Sequence, residues 1–331
     1  MLRFLTDVDF AQALAVHDEY LMPLAGIHER LRDYGIEFSA TRGDFVFADS
    51  DRGPVATDRP TVMLDRADGA FLWWRFLPQE EIARRWLESP NLLGLIKISR
   101  YNSLEAYNSS LTAESLHARL IGETGVAALP LGRHNSVPPL TEGAFAKLRL
   151  GAGYWAFDQC AQLASGPIDD WSHRPIDAYC SVSVDYLCPV IKWHRLQALR
   201  ELRKLPQYRI VLGRGRVFTD QTYRQLMQQS RICVSPWGWG ETCYRDYEAL
   251  LAGCVLIKPR TDFIDSLLPL DDRHYVPCRP DFSDLAECIE QVLSEWVHSV
   301  DRRMANRQYV LQARNEDLLT SQWAAALRGS A

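Results

Sequence analysis

No stretch of the 331-residue chain approaches the roughly 20 uninterrupted apolar residues needed to cross a bilayer. The opening residues, MLRFLTDVDF, also lack the long apolar run of a secretory signal. Positive charge is not in surplus: 37 Lys and Arg stand against 42 Asp and Glu, a formal net charge of -5. That balance argues against an electropositive nucleic-acid surface. The eight cysteines all lie between Cys160 and Cys288 and form no CxxC pair, which argues against a zinc ribbon or a thioredoxin-type redox site. Buried free thiols are the simpler reading. Internal repeats and low-complexity tracts are missing too, and the sequon Asn108-Ser109-Ser110 carries little weight without a signal peptide. The expectation is a soluble, cytoplasmic protein with no nucleic-acid partner.

What is present is ordinary globular composition, 47% hydrophobic and 24% charged. The length favours two domains, although a single large α/β barrel also fits the arithmetic. Pro and Gly cluster at 123–139 and at 166–175, which marks candidate connectors. Before them, Thr61–Asp65 and Leu92–Ile98 are short apolar runs, and Gln79–Leu87 between them has helical character, which suggests one β-α-β unit. Amphipathic segments at Asp9–His17 and Leu24–Tyr34 read as helices. An aromatic run holding Phe71, Trp73, Trp74 and Phe76 could stack on sugars, with core packing as the default.

The second half alternates more cleanly. Expected strands at Ser181–Leu187, Ile210–Leu212, Ile232–Val234 and Cys254–Ile257 are separated by expected helices at Arg195–Leu205, Thr222–Gln229 and Cys243–Leu251, and a further helix follows at Asp284–His298. Strands spaced by helices imply parallel pairing through right-handed crossovers, as in a doubly wound nucleotide-binding domain. A last helical pattern, Arg303–Leu327, could pack back on the other half.

The chemistry concentrates in Ser235–Pro259, SPWGWGETCYRDYEALLAGCVLIKP, which passes from a strand end through a Gly-rich turn into a helix and then a strand. Ligands of open α/β sheets bind at strand carboxyl ends. Gly238 and Gly240 permit close backbone approach, and the helix start offers free N–H groups to a phosphate. Arg245 and Glu248, three apart, share one helix face. A guanidinium suits a diphosphate and a carboxylate suits paired ribose hydroxyls, so together they could hold both ends of a nucleoside diphosphate. A surface ion pair is the bland alternative. Glu241 and Lys258 at the next strand end belong to the same unit.

This stretch resembles the donor-binding region of GT-B glycosyltransferases, through Glu248-Ala249, Gly253 and the strand Val255–Ile257. The spacing Arg245-x-x-Glu248-Ala249 after Pro236-x-Gly238-x-Gly240 also resembles exostosin-like transferases. The resemblance spans Ile191–Leu293. It implies that Glu248 holds the donor ribose and that Arg245 and Lys258 face the diphosphate. One departure is visible: many retaining GT-B enzymes carry two Glu with seven residues between them, whereas Glu241 and Glu248 have six between, so Glu241 is a donor-side candidate without an assigned sugar contact.

Other candidates are weaker. In Lys192-Trp193-His194-Arg195, Arg195 is a second donor contact or a solvated helix start, and His194 alone is more often structural. Gly213-Arg214-Gly215-Arg216 could approach the donor but fits an exposed turn. Asp65-Arg66-Ala67-Asp68-Gly69 follows a strand, where Asp65 is placed to act as the acceptor base of an inverting enzyme or simply to cap a turn. Lys97 and Arg100 could meet donor phosphate or an acidic acceptor.

The fold expected is α/β, two Rossmann-like domains facing a cleft: 1–165 an N-terminal acceptor-side domain, 166–300 a C-terminal nucleotide-sugar domain, and 301–331 a helix packing back. The expected function is transfer of a sugar from a nucleotide-sugar donor to a hydroxyl of a glycan or lipid-linked acceptor, without a metal or other cofactor. Peripheral membrane contact stays open, although no basic amphipathic helix compels it. A GT-B-like epimerase or phosphorylase, and a non-catalytic nucleotide-binding module, stay open as alternatives.

Overall fold

Two parallel sheets organise the chain, and both follow one winding rule. A computed structural model describes residues 1–16, 21–49, 58–65, 86–109, 139–151, 153, 158–165, 173–185, 189–215, 217–238 and 240–329. The first sheet contains β1 (Leu2–Leu5), β2 (Ile36–Ser39), β3 (Phe45–Asp49), β4 (Thr61–Leu64), β5 (Leu92–Lys97) and β7 (Leu148–Leu150), in the order β2-β1-β3-β4-β5-β7. The second contains β8 (Ile176–Val182), β9 (Ile210–Arg214), β10 (Ser230–Val234), β11 (Val255–Pro259) and β13 (Tyr275–Cys278), in the order β13-β11-β10-β8-β9. In each sheet the second strand lies outside the first and the third returns to its other side. Winding therefore reverses between β1 and β3, and between β8 and β10, and such switch points are where open α/β sheets bind ligands.

The remaining strands join the halves. β6 (Ser99–Tyr101) leaves the carboxyl end of β5, β12 (Ile264–Ser266) leaves that of β11, and the two pair antiparallel with Ile264 opposite Tyr101. Arg100 and Asp265 form an ion pair across this ribbon at 3.4 Å. The pairing brings the carboxyl ends of the two sheets together, so the crevice faces the loops that carry chemistry.

Helices in the first half are short: α1 (Phe10–Ala15), α2 (Met22–Ala25), α3 (Leu104–Ser109) and α4 (Glu142–Phe145), with a 3-10 turn at Arg30–Tyr34. Asp9 caps α1 by accepting the Gln12 N–H at 2.9 Å. In the second half α5 (Asp158–Ala164), α6 (Pro189–Arg203), α7 (Asp220–Gln228), α8 (Tyr244–Leu251) and α9 (Leu285–Ser294) are followed by α10 (Val300–Ala313) and α11 (Glu316–Arg328). Alternate residues of the second sheet enter opposite cores, as the strand period of two dictates. Ala178, Cys180, Ile232, Val234 and Ile257 pack with Ala198, Leu199, Leu202, Ile289 and Val292 of α6 and α9. Tyr179, Cys233 and Leu256 share the opposite core with Tyr247, Leu250 and Val310 of α8 and α10.

The last helix crosses to the first half. Arg149 donates to the carbonyls of Ala326 and Leu327, Arg30 pairs with Glu316 at 2.8 Å, and Trp323 is fully buried in the core that also holds Phe4 and Ile96.

Several expectations are corrected here. β8 begins at Ile176 and ends at Val182, five residues ahead of the expected Ser181–Leu187, because Ile176–Val182 pairs with both β9 and β10. The first 40 residues hold two strands beside short helices, since β1 pairs with β2 and β3. β4 and β5 pair parallel, as the expected β-α-β unit requires, within a six-stranded sheet. Arg303–Leu327 is two helices, because the Asn315 side chain accepts the Leu318 N–H at 3.0 Å and starts a new one. The aromatic run 71–76, Arg66, Asp68, Gly69, Arg216, most of helix 79–87, and most of both connectors lie outside the described residues. Among the described residues, no helix is long and apolar enough to cross a membrane, and the seven described cysteines are free thiols, six of them buried.

Candidate functional site

The switch point of the second sheet is bridged by a single side chain. Arg195, on α6, donates from Nε to the Trp237 carbonyl at 2.8 Å and from Nη1 to the Ser183 carbonyl at 2.9 Å. Those carbonyls belong to the segments leaving β10 and β8, so the guanidinium links the two strand ends. Gly238 sits against it: a Cβ built there would lie 2.9 Å from Arg195 Nη2, which is why a residue without a side chain occupies the position. The Gly238 N–H donates to the Gly240 carbonyl at 2.9 Å and closes the turn.

The turn delivers the chain to α8, whose residues Arg245 to Leu251 are all buried, three of them charged. Buried charges need partners or a ligand. Asp246 is saturated: it accepts from the Ser235 hydroxyl at 2.6 Å, from the Cys243 backbone N–H at 3.1 Å, and from the Lys258 ammonium. It stands at the third helical position, where an acid caps a helix start. Lys258, fully buried, also donates to the Glu241 carbonyl at 3.2 Å. The expectation that Lys258 faces a diphosphate is therefore corrected. Its ammonium is turned inward and ties β11 to the Gly-rich turn.

Arg245 is differently placed. It is 4% exposed, yet among the described residues its hydrogen bonds are long ones, 3.5 Å to Ser235 Oγ and 3.9 Å to Cys243 Sγ, and its buried Nε has no partner. Among the described residues no carboxylate pairs with it. One turn on, Glu248 accepts the Tyr223 hydroxyl at 2.8 Å through Oε2. Burial pushes its carboxyl up to about 7, against the Tyr223 hydrogen bond and the charge of Arg245, both of which pull it down. After α8, Gly253 takes a left-handed φ of 72° and turns the chain into β11.

The crevice side is completed across the two halves. Glu241, at 1% exposure, accepts the Tyr101 hydroxyl of β6 at 3.5 Å. His194 stacks on Trp237 with ring centroids 4.8 Å apart and contacts Phe282 at the same distance, so it packs in the core. Arg214 is exposed at the end of β9, and Lys192 is exposed on α6.

In the first half Asp65 follows β4 and is 4% exposed, with its carboxylate held by the fully buried Lys97 at the end of β5. A base must reach the proton it removes. The Asp65 carboxylate is committed to Lys97, so the expectation of a base there is corrected to a structural ion pair. Lys97 is corrected with it, and Arg100 is spent on Asp265 and the Leu148 carbonyl.

The structure thus places Gly238, Gly240, Glu241, Arg245, Glu248 and Lys258 on the turn, helix and strand that follow β10, with Arg195 of α6 against that turn, and Asp65 at the end of β4 in the other sheet. Asp246, Tyr223 and Tyr101 were missed by sequence reasoning. Only Asp246 carried a signal, as the acid three residues after Cys243.

No family model matches the chain, and no curated protein matches it in sequence. Among solved structures it is similar in overall architecture to Anabaena HepE in complex with UDP, at 12% identity and TM-score 0.49 over 99% of this chain and 100% of that one. It is similar to a trehalose-6-phosphate protein of E. coli bound with UDP-2-fluoro glucose, at 11% identity and TM-score 0.49 over 94% of this chain and 78% of that one. An alpha-glucosyltransferase in complex with UDP and a 13-mer DNA is similar at 8% identity and TM-score 0.49 over 98% of each chain.

Proposed function

We propose that this chain transfers a glycosyl unit from a nucleoside-diphosphate sugar to an acceptor hydroxyl, in glycan or polysaccharide synthesis. The observation that carries the reading is Arg245: a buried guanidinium without a carboxylate partner among the described residues, at the switch point of a doubly wound sheet. An unpaired buried cation is costly, and a diphosphate would complete it through charge-assisted hydrogen bonds. Glu248, one turn away, supplies an acceptor for ribose hydroxyls, with Tyr223 fixing its orientation.

In this reading the leaving diphosphate is stabilised by Arg245 and the start of α8, held in place before the reaction rather than assembled during it. Lys258 acts one layer behind by anchoring Asp246 and the Glu241 carbonyl. Protein cations meet the diphosphate charge, and the scheme calls for no metal. A nucleic-acid acceptor would meet no surplus of positive charge in a chain of net charge -5, so a neutral or glycan-type acceptor fits better.

The test is a thermal-shift screen with UDP, GDP, ADP and dTDP, followed by the matching nucleotide sugars with and without glycan acceptors. One nucleotide is expected to raise the melting temperature by mass action, and nucleotide release is expected to depend on added acceptor. If no nucleotide shifts the transition, the reading fails. If donor turns over equally without acceptor, the chemistry is epimerisation or hydrolysis instead.

A further inference from the structure

A cavity of about 430 Å³ lies at the carboxyl ends of β11 and β13, and its lining includes Trp237, whose carbonyl holds Arg195. We propose that it is a subsite for a neutral sugar unit of the acceptor. The inference rests on the sugar-transfer reading for the word acceptor, but not for the binding of a sugar.

The lining combines apolar and polar groups, as a pyranose does. Trp237 and Phe263 stand edge to face with centroids 6.3 Å apart, and Pro277 and Pro280 extend the apolar lining. Four charged side chains also line the cavity, and two of them are held by neighbours. Arg260 Nη1 donates to both oxygens of Asp272 at 3.1 Å, and both oxygens of Asp284 accept the Arg279 backbone N–H, at 2.8 and 3.1 Å. Among the described residues the Arg279 guanidinium donates to the Ser283 hydroxyl alone, at 3.3 Å. The Asp262 carboxylate has no partner among the described residues, since Asp262 is engaged through its carbonyl alone.

Arg279 and Asp262 are thus the donor and the acceptor least engaged among the charged lining groups. A phosphate would gain Arg279 and be repelled by Asp262. Vicinal hydroxyls use both, each as donor to the carboxylate and acceptor from the guanidinium. A volume of 430 Å³ suits one sugar ring with its solvent rather than an extended chain.

The cavity is also fixed relative to the donor grip. The Trp237 carbonyl accepts from Arg195 at 2.8 Å, and the Gly-rich turn that leads to Glu241 starts at the next residue. On the far wall, Asn102 of the first half donates from its backbone N–H to the Phe263 carbonyl at 3.1 Å and from Nδ2 to the Asp262 carbonyl at 3.0 Å. The 260–263 segment is thereby pinned to the first half beside the β6–β12 ribbon.

The experiment is saturation-transfer NMR on the full chain with methyl glucoside, methyl galactoside, methyl mannoside and N-acetylglucosamine, each with and without UDP. At least one glycoside is expected to receive magnetisation. Its affinity should fall on the order of tenfold in Arg279→Ala and in Asp262→Ala, the loss of about one charge-assisted hydrogen bond, and the signal should vanish in Pro280→Trp, which fills the cavity. These three positions are on exposed or half-buried loop, and the far-ultraviolet circular dichroism of each variant checks folding. Absence of any glycoside signal, or signals unchanged in the three variants, overturns the subsite. UDP affinity is read in parallel: nucleotide binding that survives while the glycosides fail sinks the subsite alone, and glycoside binding that survives while every nucleotide fails sinks the sugar-transfer reading alone.

Discussion

The Asp246 carboxylate receives the Lys258 ammonium where both side chains are closed to solvent, at 1% and 0% relative exposure. The pair joins the first turn of α8 to β11, and through Ser235 and the Glu241 carbonyl it sets the shape of the Gly-rich turn. Asp65 and Lys97 form a second buried pair at the carboxyl edge of the other sheet. Such pairs are weak contributors to net stability, but removal of one partner leaves an uncompensated charge in the interior.

For that reason Lys258→Met is expected to lose about 3 kcal/mol or more of unfolding free energy, within the range for broken buried pairs. Urea denaturation followed by circular dichroism measures it. A loss below about 1 kcal/mol would mean that water reaches Asp246 and that the pair is not closed off.

Arg245→Ala is expected to keep the fold and to weaken nucleoside-diphosphate binding by about ten- to a hundredfold, the equivalent of one or two charge-assisted hydrogen bonds. Titration calorimetry with the nucleotide that shifts the wild-type transition gives the ratio. Arg245→Lys should recover part of the loss, because it restores the charge without the fork. Equal affinity in wild type and Arg245→Ala would remove this guanidinium from the site.

Glu248 makes stability depend on pH in a direction that can be stated. Its carboxyl titrates near 7 in the folded chain and near 4.5 when exposed. Between those values the native state holds a proton that the unfolded state has released, so stability falls as pH rises from 4.5 to 7 and levels off above it, by about 3 kcal/mol in total. Glu248→Gln has no such group, so the difference between variant and wild type should grow in favour of the variant from pH 5 to pH 8. A difference that stays flat across that interval would show an ordinary, solvated carboxylate. Tyr223→Phe, which removes the donor to Oε2, should move the wild-type profile to higher pH.

Gly238→Ala puts a methyl group 2.9 Å from Arg195 Nη2 and must displace the guanidinium from the carbonyls of Ser183 and Trp237. The expected cost is about 1–3 kcal/mol, as for other overpacked sites. A double-mutant cycle with Arg195→Ala checks the cause: the Gly238→Ala cost should largely disappear once the arginine is absent. Additive costs would place the strain elsewhere.

Sequence alone determined the features that depend on neighbours within a few residues. The alternation of β9, α7, β10, α8 and β11 was legible because apolar periodicity and Gly or Pro punctuation are local signals, and the stretch from Ser235 to Pro259 could be singled out because its glycines, Arg245 and Glu248 lie on one strand–turn–helix unit. The strands β1, β2 and β3 were not legible. They are four or five residues long, and their strand character comes from pairing across the sheet, not from their own pattern.

Tertiary structure decided what each charge does. Arg195, Arg245, Lys97 and Lys258 are alike along the chain in that none shows locally which group will hold it. Asp65 lies 32 residues from Lys97, and the Ser183 and Trp237 carbonyls that hold Arg195 lie 12 and 42 residues from it. Whether a cation is committed or available is set by which groups the fold brings within about 3 Å of it, and only Arg245 of these four was left without a close acceptor among the described residues.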